Sequence, residues 1–511
     1  MRTRTTASGT ILALAALSLP ASLPGQGIDP LTVDTTVEEI RERTGIPGVA
    51  VAIVQGDSVV LARGWGVREA GAGAPVDAGT LFAIGSATKA FTAATVGAVV
   101  DDGLLGWDDR AIDHLPGFAL HDPYATAGIT VRDLLAHRSG LPRGDLMWLT
   151  KRLPADTLIH RLRHLEPAAG FRARFTYQNG LYLAAGRIVE EASGEPWEAV
   201  LHERILEPLG MSRTTASVDS LTGLTNVATP HVRVDGEAVA VPYRNLDHVA
   251  PAGAIHSSAS DLARWLRFLV SGGAVDGKAV IGAATLAETY TPQIVVPMDP
   301  VMRALHPAAN LLAYGLGWFV SDFHGRTLVA HGGGIDGMTS VVAWVPEEDL
   351  GVAVLANLQT PTPPVWVYGI LYGILDPALG VGRTDWEAPA RELEAVYRRM
   401  IQEAAPERIE GTEPSFPLEA YAGTWASETL GEAEVAIEAG RLVFRAGTLE
   451  GTLEPWHRDT FRAGWQDPAF RAAAGAGWIT FRMGRTGRIA ELELVAIPGE
   501  RERLERAPAD R

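Results

Sequence analysis

Residues 82–93 read FAIGSATKAFTA, and the reading of the whole chain turns on Ser86 and Lys89 within them. Ser86 to Val100 is small and apolar on most faces, which predicts a helix buried inside a domain. Positions i and i+3 of a helix share a face, so the serine hydroxyl and the lysine amine can touch. A buried lysine has its pKa lowered and can accept the serine proton, which an arginine cannot do at any accessible pH. A Ser-x-x-Lys by itself is a weak signal, because an ordinary helix start capped by serine looks the same. Composition sharpens it. Lysine occurs only as Lys89, Lys151 and Lys278, among 44 Lys plus Arg. A chain that writes arginine almost everywhere has placed a lysine where deprotonation would matter.

Two further stretches carry chemistry. Tyr177-Gln178-Asn179 offers a hydroxyl that can relay a proton and an amide that can orient a lysine or hold a substrate carbonyl. His331-Gly332-Gly333-Gly334 ends a strand-like run. Its glycines would let a substrate lie against a strand edge, and a backbone N–H there can donate to an oxyanion. Alone, the first is too common to mean anything and the second could be only a glycine turn.

Around these motifs the pattern is α/β. Gly48 to Val54 and Ser58 to Gly64, joined by Gln55-Gly56-Asp57, read as an antiparallel hairpin. Ile129 to Ala136 and Leu181 to Ala192 carry helical periodicity, and Ser258 with Asp261 reads as a capping box before Leu262, Trp265, Leu266 and Leu269. Strand-like runs return at Thr327 to Ala330, Val341 to Val345 and Gly351 to Leu355. Strands at both ends with helices between predict one domain whose sheet is completed by the two ends of that region. From Asp385 to Ala404 the chain is charged and helical, with Leu393, Val396, Tyr397 and Met400 at helical spacing. A linker follows from Pro406 to Pro417. Short alternating runs at Glu434 to Glu438, Arg441 to Arg445, Trp478 to Met483 and Ile489 to Leu494 predict a small all-β barrel.

Taken together and in this order, the motifs resemble the serine β-lactamase-related hydrolases, which include class C β-lactamases, D-alanyl-D-alanine carboxypeptidases and CubicO-type esterases and peptidases. The resemblance runs from about Gly45 to Leu358. It is carried by GIPGVAVAIVQGDSVVLARGWGV from Gly45, FAIGSATKAFTA from Phe82, ITVRDLLAHRSGLP from Ile129, FTYQNGLYLAAG from Phe175 and ILEPLGM from Ile205. PAGAIHSSASDLARWL from Pro251, YGLGWFV from Tyr314 and HGGGIDGM from His331 complete it. The resemblance implies a β-lactamase/transpeptidase-like antiparallel sheet flanked by helices, with a helical subdomain. It implies that Ser86 is acylated, Lys89 is the general base and Tyr177 shuttles the proton. Asn179 would align Lys89 and the substrate, and the N–H groups of Ser86 and Gly334, with Gly333 beside them, would line the oxyanion site.

His331 stands where many β-lactamases carry the Lys of a Lys-Thr-Gly triplet. A His with an unperturbed pKa near ~6.5 is mostly neutral at pH 7 and would bind a carboxylate less well. That moves the expectation from β-lactamase or D,D-carboxypeptidase towards esterase or peptidase. A penicillin sensor that acylates without turnover is the rival reading, and the completeness of the Ser86, Lys89, Tyr177 and His331 set speaks against it. The C-terminal part, from about Leu418 to Leu504, resembles the small lipocalin-like barrel appended to some CubicO-type proteins. It is carried by YAGTWAS from Tyr421 and TLEPWHRDTFRAGWQDP from Thr452. The barrel would serve as a packing module, a lid or an oligomerisation surface.

The expected layout is an export signal over residues 1–26, a catalytic domain over 27–375, a helical linker over 376–414 and the barrel over 415–511. Arg2 and Arg4 form a positive n-region and Ile11 to Leu19 a short apolar core, too short to span a bilayer. Cleaved export would place the protein in the periplasm or outside the cell with no membrane anchor. With no cysteine there are no disulfides, no lipoprotein attachment, no thiol nucleophile and no Cys-ligated zinc. The formal charge of −17 argues against nucleic acid as a partner. The partner expected is a small-molecule or peptide substrate, with neither metal nor cofactor. His160 and His164 stand at i, i+4, but Arg161 and Arg163 beside them repel cations, so a solvated helix face is expected. His202-Glu203 lacks the second histidine of a zincin, and His137 and Ser139 read as hydrogen-bonded core. The loops around 142–170 and 230–251 would shape the pocket.

Overall fold

The structure, a computed structural model, describes residues 28–360 and 365–508. The signal-like stretch lies outside them. Eight strands form one antiparallel sheet in the spatial order 58–66, 48–55, 350–356, 338–345, 326–335, 319–323, 312–314 and 294–295. The N-terminal hairpin joins the C-terminal strands directly, with Val51 opposite Val354, so the two ends of the region close the sheet as expected.

Gly48 to Val54 is apolar without alternation because both faces of this strand are covered. Ala50, Ala52 and Val54 enter one core, and Val49, Val51 and Ile53 enter the other. On the second side lie the helices Pro30–Thr44 and Val365–Ala378, contributing Val33, Val37, Ile40, Ile370 and Leu371. The expected boundary at residue 375 falls inside the second of these helices. The same core continues through Leu379 and Trp386, because those side chains still have the sheet to pack against.

On the first side lie the helices Thr88–Asp101, Asn179–Ser193 and Ala259–Val270. Thr88 to Val99 is buried at every position. Its threonines satisfy their hydroxyls locally, Thr92 donating to Pro251 O at 2.7 Å and Thr95 to Phe91 O at 2.8 Å. Ser86 itself sits on a 3-10 turn, Gly85–Ala87, and the α-helix begins only at Thr88. The capping box expected at Ser258 is half formed. The Ser258 hydroxyl accepts from Asp261 N at 3.2 Å, but the Asp261 carboxylate turns to Arg213 N and Thr214 Oγ1. A full box forms at Thr130 and Asp133 instead.

The charged helix runs Glu387–Ala404 with Leu393 buried. Beyond it, eight strands from Gly423–Ser427 to Glu502–Arg506 pair consecutively and close into a barrel. Trp425, Phe444, Phe461, Trp465 and Leu504 fill it. Leu146 of the preceding domain packs into the same cluster. Thr448 N donates to Thr150 O at 2.7 Å and Arg161 Nη1 to Thr429 O at 3.0 Å, so the barrel is docked on the pocket-shaping segment. No helix among the described residues is long and apolar enough to cross a membrane.

Candidate active site

The turn that carries Ser86 is wedged between two pieces of bare backbone. The short strand Phe82–Ala83 pairs with His256–Ser257 and delivers the chain to Gly85, whose φ of +51° suits glycine. A Cβ on Gly85 would stand 2.8 Å from Gly334 N, and a Cβ on Gly333 would stand 1.8 Å from Ile84 O. The glycines therefore let the strand Arg326–Ile335 lie against the serine turn, where Ser340 Oγ donates to Ile84 O at 2.8 Å. Ser86 is half-buried and Gly334 exposed, so the space beside the serine is open to a substrate.

Lys89 is fully buried, with Nζ 3.1 Å from Ser86 Oγ and donating to Ala252 O at 2.7 Å. The ring centroids of Tyr177 and Tyr182 lie 5.0 and 5.2 Å from the nitrogen. Burial holds its pKa well below the usual lysine value, Arg143 adds to the effect, and Asp145 opposes it. The amine is thus biased to the uncharged form that can take a proton. Tyr177 is half-buried and hydrogen-bonded to Ser86. Burial pushes its phenol up to about 12, against the pull of Ser86 and Arg143, so it is a neutral donor-acceptor at pH 7. His137 (φ +54°) lies under it, ring centroids 4.1 Å apart, with Nδ1 accepting from Gln178 N at 3.1 Å.

Two residues sit differently from expectation. The Asn179 amide donates to Asp145 Oδ1 at 2.9 Å, not to a bond with Lys89. Asp145 is buried and must find donors. It takes them from Asn179, from Trp148 Nε1 at 3.0 Å and from Arg143 Nε. His331 is 2% exposed and turned onto Tyr314 and Phe319. Its Nδ1–H donates to Gly332 O at 2.7 Å, which leaves Nε2 to accept from Tyr314 OH at 3.0 Å. Burial first, and Lys89 second, lower its pKa to about 3. It carries no charge at any working pH, a stronger departure from a lysine than an ordinary histidine near ~6.5 would be.

Arg143 and Asp145 escaped the sequence reading, although they lie in the loop expected to shape the pocket. Arg143 is 54% exposed, with its guanidinium 5.2 Å from the Tyr177 ring centroid. Only their placement beside a fully buried lysine marks them, and spacing cannot show that. Among the described residues no cluster of His, Cys, Asp or Glu could hold a metal. His164 instead faces Glu428 of the barrel at 3.8 Å.

A Ser-Lys pair on a buried helix start, a tyrosine over it and a bare glycine strand beside it are matched by the family model for β-lactamase, over residues 33–366. The chain belongs to the β-lactamase family. Within that family it is a serine hydrolase with a C-terminal closed barrel, and residues 407–506 match a domain of unknown function, DUF3471. Among curated relatives it is similar to Unguisins hydrolase ungD of Aspergillus violaceofuscus, 28% identical over 82% of this chain and 79% of that one. It is also similar to Penicillin-binding protein 4 of Amycolatopsis lactamdurans, 30% identical over 63% of this chain and 83% of that one. The octameric penicillin-binding protein homologue from Pyrococcus abyssi shares the fold, with TM-score 0.60 and 24% identity over 93% and 99% of the two chains. So does D-amino acid amidase from Ochrobactrum anthropi SV3, with TM-score 0.57 and 24% identity over 68% and 97%.

Proposed function

We propose that the protein hydrolyses an amide or ester as a CubicO-type enzyme through a Ser86 acyl-enzyme. The observation that carries this is Lys89 Nζ, fully buried, at 3.1 Å from Ser86 Oγ. Lys89 takes the Oγ proton as Oγ bonds to the substrate carbonyl carbon, and the N–H groups of Ser86 and Gly334 hold the oxyanion. Tyr177 returns the proton to the leaving nitrogen or oxygen as its bond to carbon breaks. Water then repeats the cycle on the ester and frees the acid. The names of two similar proteins, a hydrolase of unguisins and a D-amino acid amidase, support an amide or ester substrate.

The neutral His331 is what separates this reading from a class C-like β-lactamase or D,D-carboxypeptidase, because no ammonium stands there to hold a carboxylate. Export to the periplasm or medium belongs to the same proposal and rests on Arg2, Arg4 and the apolar core from Ile11 to Leu19. The lipocalin likeness of the barrel rests on its eight consecutive closed strands, and a homo-oligomer on the Pyrococcus neighbour's description. A fluorophosphonate should add at Ser86 and not to Ser86→Ala, and p-nitrophenyl acetate should be cleaved with higher kcat/KM than nitrocefin. An adduct elsewhere refutes the nucleophile. A preference for nitrocefin restores β-lactamase.

A further inference from the structure

The helix Val131–Leu135 hands the chain over to His137, whose φ of +54° lies in the left-handed region. Glycine usually takes this place after a helix, because a side chain there is strained. A histidine stays in such a conformation only where its surroundings hold it. Here two of its acceptors are used on one short segment. The His137 carbonyl accepts from Thr176 N at 2.8 Å, and Nδ1 accepts from Gln178 N at 3.1 Å. Those residues stand immediately before and after Tyr177.

The imidazole completes the grip. Its ring centroid lies 4.1 Å from that of Tyr177, with 33° between the planes. Gln178 is fixed a second time, because its side-chain oxygen accepts from Gly180 N and caps the helix Asn179–Ser193. Tyr177 therefore has its backbone clamped on both sides and its ring supported, with its hydroxyl hydrogen-bonded to Ser86. A backbone N–H can only donate, so Nδ1 of His137 is unprotonated and the ring is neutral. Burial first, then Lys89, His331 and Arg143, hold its pKa well below the usual histidine value. The ring proton sits on Nε2, which is buried and has no hydrogen-bond partner among the described residues. Beside the ring stand Phe175, Tyr182 and Tyr314, with centroids 5.7, 5.2 and 4.8 Å away. With Nδ1 taken and Nε2 enclosed, the imidazole has no free atom to trade protons with a substrate. What it supplies is the placing of Tyr177.

We propose that His137 is a positioning residue for acylation, setting the Tyr177 hydroxyl where it hands its proton to the leaving group. This rests on the Ser86 acyl-enzyme reading and adds the residue that aims its proton donor. As the bond from the carbonyl carbon to the leaving oxygen breaks, that oxygen takes the Tyr177 proton. The proton that Lys89 took from Ser86 Oγ then replaces it on Tyr177. The consequence is a dependence on the leaving group. p-Nitrophenolate departs as a stable anion and needs no proton, whereas ethoxide departs only as it is protonated. A misplaced Tyr177 slows the second far more than the first, and a residue that only supports the fold would slow both alike.

The test compares p-nitrophenyl acetate with ethyl acetate, which form the same acyl-enzyme, on the full chain. Each kcat/KM is counted per Ser86 labelled by a fluorophosphonate, so that loss of folded protein does not enter. The ratio of the first kcat/KM to the second should rise by about tenfold or more in Tyr177→Phe and in His137→Leu, which removes ring and acceptor together. His137→Asn tolerates the left-handed backbone and offers an amide oxygen in place of Nδ1, so it loses the ring alone, and the ratio should rise by about threefold. That variant carries the test if the leucine variant does not fold. Adding His137→Leu to Tyr177→Phe should raise the ratio no further, because the donor it aims is gone. An unchanged ratio in the His137 variants would show that His137 only supports the fold. A further rise in the double variant would show that it acts other than through Tyr177. Either result overturns the proposal. Labelled Ser86 with the ratio raised in Tyr177→Phe alone overturns this inference and spares the acyl-enzyme reading. An unchanged ratio in Tyr177→Phe removes Tyr177 as the donor and the proposal with it, and unlabelled Ser86 in wild type overturns the acyl-enzyme reading as well.

Discussion

Lys89 keeps its amine among the Tyr177 and Tyr182 rings, with Ala252 O as the carbonyl it donates to and Ser86 Oγ as the hydroxyl it meets. Replacement by arginine would put a permanent cation in the same dry place. Lys89→Arg should therefore lower kcat by about a hundredfold or more, with fluorophosphonate labelling falling in step. A variant retaining more than about a tenth of kcat, an effect of roughly 1.4 kcal/mol, would mean that Lys89 is not the base. Because burial lowers the Lys89 pKa, the uncharged form persists on going down from alkaline pH, and activity on an uncharged ester should be lost only as pH falls through that lowered value. The contact between Lys89 and Ser86 was legible in the sequence because residues three apart at a helix start share a face. The partners of Asn179 and His331, Asp145 and Tyr314, were not legible, because they are distant in sequence and chosen by burial.

The strand Arg326–Ile335 shows how one element carries two glycines with different duties. At Gly333 an added methyl would drive into Ile84 O, a backbone atom that cannot swing away. At Gly334 nothing lies within 4 Å of the added position. Gly333→Ala should cost about 3 kcal/mol or more of unfolding free energy, and Gly334→Ala should stay within about 0.5 kcal/mol. Urea unfolding of the two variants checks this, and equal costs would refute the close approach of strand and serine turn. A Gly-Gly-Gly run in the sequence suggests a bare edge but cannot say which glycine faces backbone.

At the scale of the whole molecule, several buried histidines are stored uncharged. His306 is buried against Phe319 and Tyr368, and burial lowers its pKa to about 4. His256, also buried, is lowered to about 4. The unfolded chain binds a proton at each below ~6.5, while the folded chain does not until about 4, so stability falls as pH drops through that window. The loss is about 1.4 kcal/mol per pH unit for each such group. His306→Gln removes one of them. Its stability relative to wild type should improve by about 1.4 kcal/mol for each pH unit descended from 6.5 to 4.5. A gap that does not change with pH would show that His306 is protonated in the fold. The barrel belongs to the same scale, since Leu146 enters its core and Arg244 Nη2 reaches Asp467 Oδ2 at 2.8 Å.

The sequence by itself determined the family, the α/β sheet closed by both ends of its region, the eventual barrel and the Ser86-Lys89 pair. These depend on local periodicity, on turn residues and on residue types whose chemistry admits few substitutes. Only the tertiary structure decided that Asp145 claims Asn179, that His331 is turned onto Tyr314, and that Glu500 of the barrel accepts from Asp145 N of another domain. Burial and charge balance are properties of what surrounds a side chain, and residues 355 positions apart, such as Asp145 and Glu500, become neighbours only when the chain is folded.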